Sequence, residues 1–361
     1  MKEKITVTQL VFLITLCREI LTLIFLPSTF ANSPDIWLSA LLGPPFLILF
    51  ALPVYLLWKR YPNETIIQSS QTILGKIGIF IGLIYVLYFF DQTAIALVDL
   101  SSFYSTTQMP ETPNLFFIIT LALSATYAVY KGIEVLNRIS EFLFPLFAAS
   151  LVIFFLFLIP NMNLGNLQPF LENGILPVLQ GSLTSSAVTS EILFLGMLLP
   201  CLNKPNNAKY ALLFSSILIC IFALLIVLPV LLVFGAKHTS HVVFPYYDTI
   251  RIITIGNFIE RIESIHLSFC VLGAFVKVSI YYYLTVLSLS QVLKISDLRP
   301  LIIPIGVLII AYCPMIGSNI VEFVNELLIG NYPWYNAFFI VIIPTALLLL
   351  SYFLKKGVSS Q

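Results

Sequence analysis

Ten long apolar runs, separated by short segments of Pro, Gly, Asn and charge, constrain this chain more than any other feature. They fall at residues 7–28, 36–58, 78–104, 114–131, 142–160, 175–200, 209–235, 264–292, 300–318 and 333–354. A helix needs roughly 20 apolar residues to cross a bilayer, and only helices or a closed barrel satisfy the backbone inside hydrocarbon. The runs are continuous and do not alternate, so they predict an all-α integral membrane protein with ten transmembrane helices. Charged residues make up 10% of the 361, against about 25% in an ordinary soluble domain, which excludes a water-soluble globule. The runs leave no room for an additional soluble domain, so residues 1–361 read as a single transmembrane domain. The first run follows Lys2, Glu3 and Lys4 and lacks a small-residue cleavage site; it reads as a retained span and not a signal peptide.

Basic residues set the orientation. With the N-terminus in the cytoplasm, 13 of the 18 Lys and Arg fall on the cytoplasmic side, three (Lys237, Arg251, Arg261) on the other, and Arg18 and Lys277 inside spans. That asymmetry follows the positive-inside rule, and an even number of spans returns both termini to the cytoplasm. Five spans on each side of the loop around Asn161–Gln168 give pseudo-repeats of about 1–160 and 166–361. An odd number of helices per half forces the halves to run in opposite senses, as in a five-plus-five inverted repeat of LeuT-like type. In such an architecture the first helix of each half is broken near the midplane, so the first and sixth spans are expected to be discontinuous.

Polar residues inside the spans carry the functional expectations. A charge at the bilayer centre costs about 2.5–3.5 kcal/mol on insertion scales, so it faces protein or water. The first span holds Arg18 and Glu19 near its middle; neighbours on a helix do not face each other, so either the helix unwinds there or each charge has a partner elsewhere. The sixth carries six hydroxyl residues and Glu191 between Gly181 and Glu191, among them Ser186, as expected of a discontinuous helix or of a small-residue packing seam. In the third span Tyr88, Gln92 and Asp99 share one face and Asp91 sits about 60° to one side. The eighth span carries Lys277 with Tyr281 a turn later; Glu191, Asp91 and Glu19 are its candidate partners. Residues 248–263 place Ile252, Ile255, Phe258, Ile259 and Ile262 at helical spacing, as in an amphipathic helix lying in the non-cytoplasmic interface.

Several functions are absent from the pattern. A net charge of +1 gives no nucleic-acid footprint. Three histidines and five scattered cysteines offer neither a metal site nor a disulfide framework, and no phosphate loop, H-E-x-x-H or G-x-S-x-G occurs. The chain reads as no enzyme, and no cofactor is implied.

The stretches DIWLSALLG (35–43), ILGKIG (73–78), KGIEVLNRISE (131–141), NLQPFLENGILPVLQGS (166–182), SEILFLGMLLP (190–200) and FPYYDTIRIITIGNFIERIES (244–264) resemble, in order and spacing, the spore germination permease family. These are the B subunits of nutrient germinant receptors, within the amino acid–polyamine–organocation transporter superfamily. The resemblance implies a small nutrient, typically an amino acid, bound where spans one and six meet three and eight. Tyr88 and Gln92 would form the third-span wall, Lys277 and Tyr281 the eighth-span wall, and Glu191 the acid of the sixth. It further implies a receptor A subunit and a lipoprotein C subunit as partners in the spore inner membrane. In the first span the stretch Arg18–Thr22 is bulky and charged where relatives often carry small residues. Arg18, Glu19, Tyr88, Asp91, Gln92, Ser186, Glu191, Lys277 and Tyr281 are thus the candidate ligand-binding residues of a nutrient sensor. A proton-coupled amino-acid transporter and, less directly, a pore-forming subunit remain the alternatives.

Overall fold

The computed structural model describes residues 4–26, 34–239, 242–253, 262–316 and 330–354. Among them nine helices are long and apolar enough to cross a membrane, and a bent pair supplies the tenth span. The spans are Val7–Ile24, Ile36–Arg60, Lys76–Thr107, Asn114–Lys131, Ile133–Asn161, the pair Ile175–Ala187 with Ser190–Cys201, Pro205–Lys237, Glu263–Leu293, Arg299–Ile316 and Tyr332–Phe353. Each expected run therefore holds one span.

Local chemistry sets the ends. Thr6 caps the first span through a capping box with Gln9, satisfying two of the free N–H groups of the first turn. Gly132, at φ 91° and ψ 173°, lets the fourth span turn directly into the fifth in a region that only glycine occupies readily. The fifth span starts about ten residues earlier than its apolar run, at Ile133. The charges of that extension pair along the helix, Glu134 with Arg138 at 2.5 Å, while Asn137 and Ser140 turn inward.

Packing repeats when each span is exchanged for the one five places along the chain. The first span packs on the fifth and seventh, as the sixth packs on the tenth and second; the fifth meets the seventh as the tenth meets the second. The third packs on the ninth as the eighth packs on the fourth, and the third and eighth form the most extensive pair of all. This is the contact pattern of an inverted repeat with the first, third, sixth and eighth spans at its centre. Gly273 of the eighth span lets the first approach closely: a Cβ there would collide with the Ile20 side chain.

One expectation is corrected, and a second falls only in part on described residues. The first span does not unwind at its charges: it is helical from Val7 to Ile24, through Arg18 and Glu19, and leaves the helix at Phe25. The polar-faced segment before the eighth span is a short helix, Pro245–Arg251, with Tyr246, Tyr247 and Ile250 buried against the first, seventh and eighth spans. It packs into the protein because its first turn is aromatic, and Gln108 donates to the Tyr247 hydroxyl at 2.6 Å. The rest of the expected amphipathic helix, 254–261, lies outside the described residues.

Candidate functional site

The sixth span breaks between Ala187 and Ser190 and bends by 51°. Its hydroxyls explain why. Ser182, Thr184, Ser186 and Thr189 each donate to the carbonyl four residues back (Val178, Gln180, Ser182 and Ser185), at 2.8–3.1 Å. Such back-bonding competes with the helical ladder and bends helices. At Thr189 the backbone leaves the helical region, with φ −78° and ψ 77°. The carbonyl of Val188, which loses its helical partner at the break, accepts from the Ser190 N–H at 2.9 Å and from the Asn336 amide of the tenth span at 3.5 Å, as backbone must be satisfied in a membrane.

Arg18 fills the notch. Its Nε donates to Thr189 at 2.9 Å, one Nη to Thr22 at 3.0 Å and the other to Ser185 at 3.2 Å. The side chain is buried, and no acid forms an ion pair with it among the described residues. Beside it lies a cavity of about 40 Å³ lined by Arg18, Thr22, Ser39, Ser185, Ser186 and Thr189, room for about three waters. Ser186 donates back along its own helix and to the Gly43 carbonyl at 3.3 Å, so it ties the second span to this wall. Glu19 is fully buried, and neither carboxyl oxygen meets a hydrogen-bond donor in good geometry.

On the far side of the break the Lys277 ammonium pairs with Glu191 at 3.1 Å, which decides among its three candidate partners. Ser190 and Tyr281 share a hydrogen bond of 2.5 Å, and the Tyr281 ring packs edge-on against Phe194. Asp99 is buried within electrostatic reach of Lys277 and Glu191. The first, third, sixth and eighth spans thus bring their ionisable groups together. The Glu191–Lys277 pair is buried, and neither residue lines the cavity beside Arg18.

The third-span residues divide. Tyr88 donates to Asn336 Oδ1 at 2.8 Å and Gln92 to the same atom at 3.2 Å, while Tyr332 donates to Gln92 at 2.7 Å. This seam joins the third and tenth spans, and through the Val188 carbonyl it reaches the break. Asp91 is not part of it. One position along, it is half-buried and accepts from Tyr312 of the ninth span at 3.1 Å, away from Lys277. Sequence reasoning missed Asn336, whose only signal is a single amide inside the apolar tenth run between Tyr332 and Phe339. It also left Thr22, Ser185 and Thr189 out of the candidate set, although these are the residues that hold Arg18.

The family profile of the spore germination protein family matches residues 4–321. This chain belongs to that family. It is 30% identical to spore germination protein KB of Bacillus subtilis (strain 168) over 90% of this chain and 88% of that protein. It is 28% identical to spore germination protein YndE of the same organism over 98% of both. In fold it is similar to a nucleobase-cation-symport-1 family transporter in a closed conformation with bromovinylhydantoin bound, with TM-score 0.60 and 12% identity, covering 93% of this chain and 78% of that one. The germination protein is thus an integral membrane protein with the LeuT-like transporter fold, in a family that is not one of enzymes.

Proposed function

We propose that this germination protein is the nutrient-sensing membrane subunit of a germinant receptor, binding a small polar nutrient where the broken sixth span meets the first. Arg18 carries the reading: a buried guanidinium held by three neutral hydroxyls, with no acid paired to it among the described residues, at the edge of a cavity. A buried cation without an anion is costly, and a ligand carboxylate would supply the missing charge bidentately. Ser186 belongs to the same wall. Glu19, Glu191, Lys277 and Tyr281 stand behind it, and Tyr88 and Gln92 couple the break to the tenth span. Asp91 has no place in this pocket.

The cavity is far smaller than a nutrient, so binding requires the segments on either side of the break to part. A ligand that favours the parted arrangement shifts the population toward it, and the seam through Asn336 carries the change to the outer spans. The receptor would include an A subunit and a lipoprotein C subunit in the spore inner membrane, with both termini of this chain in the cytoplasm.

Spores carrying Arg18→Ala and Arg18→Lys, scored for germination against a panel of amino acids and uncharged nutrients, test this. The expected result is loss of the response to carboxylate-bearing nutrients at unchanged protein level, with Lys restoring little because it lacks the planar fork. An unaltered response removes the site. Saturable amino-acid uptake by the purified chain alone in liposomes would favour the proton-coupled transporter.

A further inference from the structure

Asp91 is the sixteenth of the thirty-two residues of the third span, so it lies close to the bilayer midplane. The inner face of that helix carries other polar groups: Tyr88, Gln92 and Asp99 are buried there. Asp91 instead continues the outward stripe Phe80, Leu83, Leu87, which are 64%, 41% and 67% exposed and recur at helical spacing. Its carboxylate is held in place by the Tyr312 hydroxyl of the ninth span, with Tyr335 of the tenth beside it. A charged side chain at this depth is almost always paired, yet Asp91, half-buried, meets only tyrosine hydroxyls and no cation among the described residues.

Next to it runs an apolar groove of about 430 Å³ between the third, eighth and ninth spans. Leu87, Phe90, Leu308, Tyr312 and Met315 form its walls, and Ala311 is among the residues lining it. Leu308 and Met315 are 60% and 77% exposed. A small residue between larger ones is what permits a helix to approach closely in lipid, where packing and interhelical hydrogen bonds drive association in place of the hydrophobic effect.

We propose that this face is a docking surface for a transmembrane helix of another polypeptide that carries a Lys or Arg near its midpoint. The apolar groove receives the helix, and Asp91, fixed by tyrosine, receives the basic group. Charge complementarity selects this occupant over a lipid chain, which would fill the groove and leave the acid facing hydrocarbon. The surface is on the opposite side of the third span from Gln92 and does not depend on the nutrient site.

The test uses the full chain in its native spore membranes, with a photo-crosslinking residue placed in turn at Leu87, Leu308 and Met315. Phe142 and Leu146, exposed on the fifth span, serve as controls. The expected result is a protein adduct from the groove positions only, whose crosslinked peptide is a membrane-spanning segment with Lys or Arg near its centre. Asp91→Asn keeps the shape and the tyrosine contacts but removes the charge; it is expected to reduce that adduct roughly tenfold at unchanged chain level. Adducts confined to lipid or to this chain, a crosslinked segment without a central basic residue, or an adduct indifferent to Asp91→Asn would each overturn the proposal. Protein adducts from the fifth-span controls but not from the groove would also overturn it, while leaving the receptor complex standing.

Discussion

The first and sixth spans occupy equivalent places in the two halves, and both carry charge at the midplane, yet among the described residues only the sixth breaks beside its charge. The first keeps its helix because Arg18 reaches Thr22 on its own next turn and two hydroxyls on its neighbour. The sixth loses its helix because Thr189, with Ser182, Thr184 and Ser186, bonds back to its own carbonyls. One span therefore supplies the charge and the other the solvation. The pairing also differs: Glu191 at the break has a cation at 3.1 Å, whereas Glu19 in the intact helix has no ion pair among the described residues.

Three substitutions sharpen or break this contrast. The largest effect is expected at the buried pair. Lys277→Met alone, leaving Glu191 uncompensated, should destabilise the protein by about 3–5 kcal/mol, and Lys277→Met with Glu191→Leu should recover most of that. Thermal unfolding in detergent checks both; a double variant no better than the single would mean that the pair does more than neutralise charge. Next, Gly273→Ala drives a methyl into Ile20 and should cost about 1–3 kcal/mol by overpacking. Ile20→Val in the same chain should relieve part of it in the same unfolding assay, and a neutral Gly273→Ala would deny that the intact first span is fixed against the eighth. The smallest effect is expected at the seam that satisfies the break. Tyr88→Phe removes one hydrogen bond to Asn336 and should cost about 0.6 kcal/mol, the mean for polar contacts between membrane helices. Asn336→Leu also removes the acceptor of Gln92 and a second donor to the Val188 carbonyl and should cost more; equal losses would show that these two contacts contribute nothing.

Much of the site was legible in the residues. Lys277, too far from either end of its span to reach water, demanded an acid, and an acid is there. The common face of Tyr88, Gln92 and Asp99 followed from 100° per residue alone, and so did the separation of Asp91. The break in the sixth span was written in its hydroxyls. The unbroken helix at Arg18 and Glu19 was not, because whether a helix unwinds around a charge depends on what neighbouring helices offer, and Thr189 and Ser185 are more than 160 residues away in the chain. Asn336 was hidden for the same reason: one amide in an apolar run gives no period.

By itself the sequence determined the membrane, the ten spans and the residues too polar for lipid, since hydrocarbon penalises each charge and each unpaired backbone group wherever it falls. Only the tertiary structure decided the partners: Glu191 for Lys277, three hydroxyls for Arg18, span ten for Gln92, and Tyr312 of span nine for Asp91. Solvation by lipid is a property of each residue in its own segment, whereas a hydrogen bond or ion pair exists only once two distant helices have been brought within about 3 Å of each other.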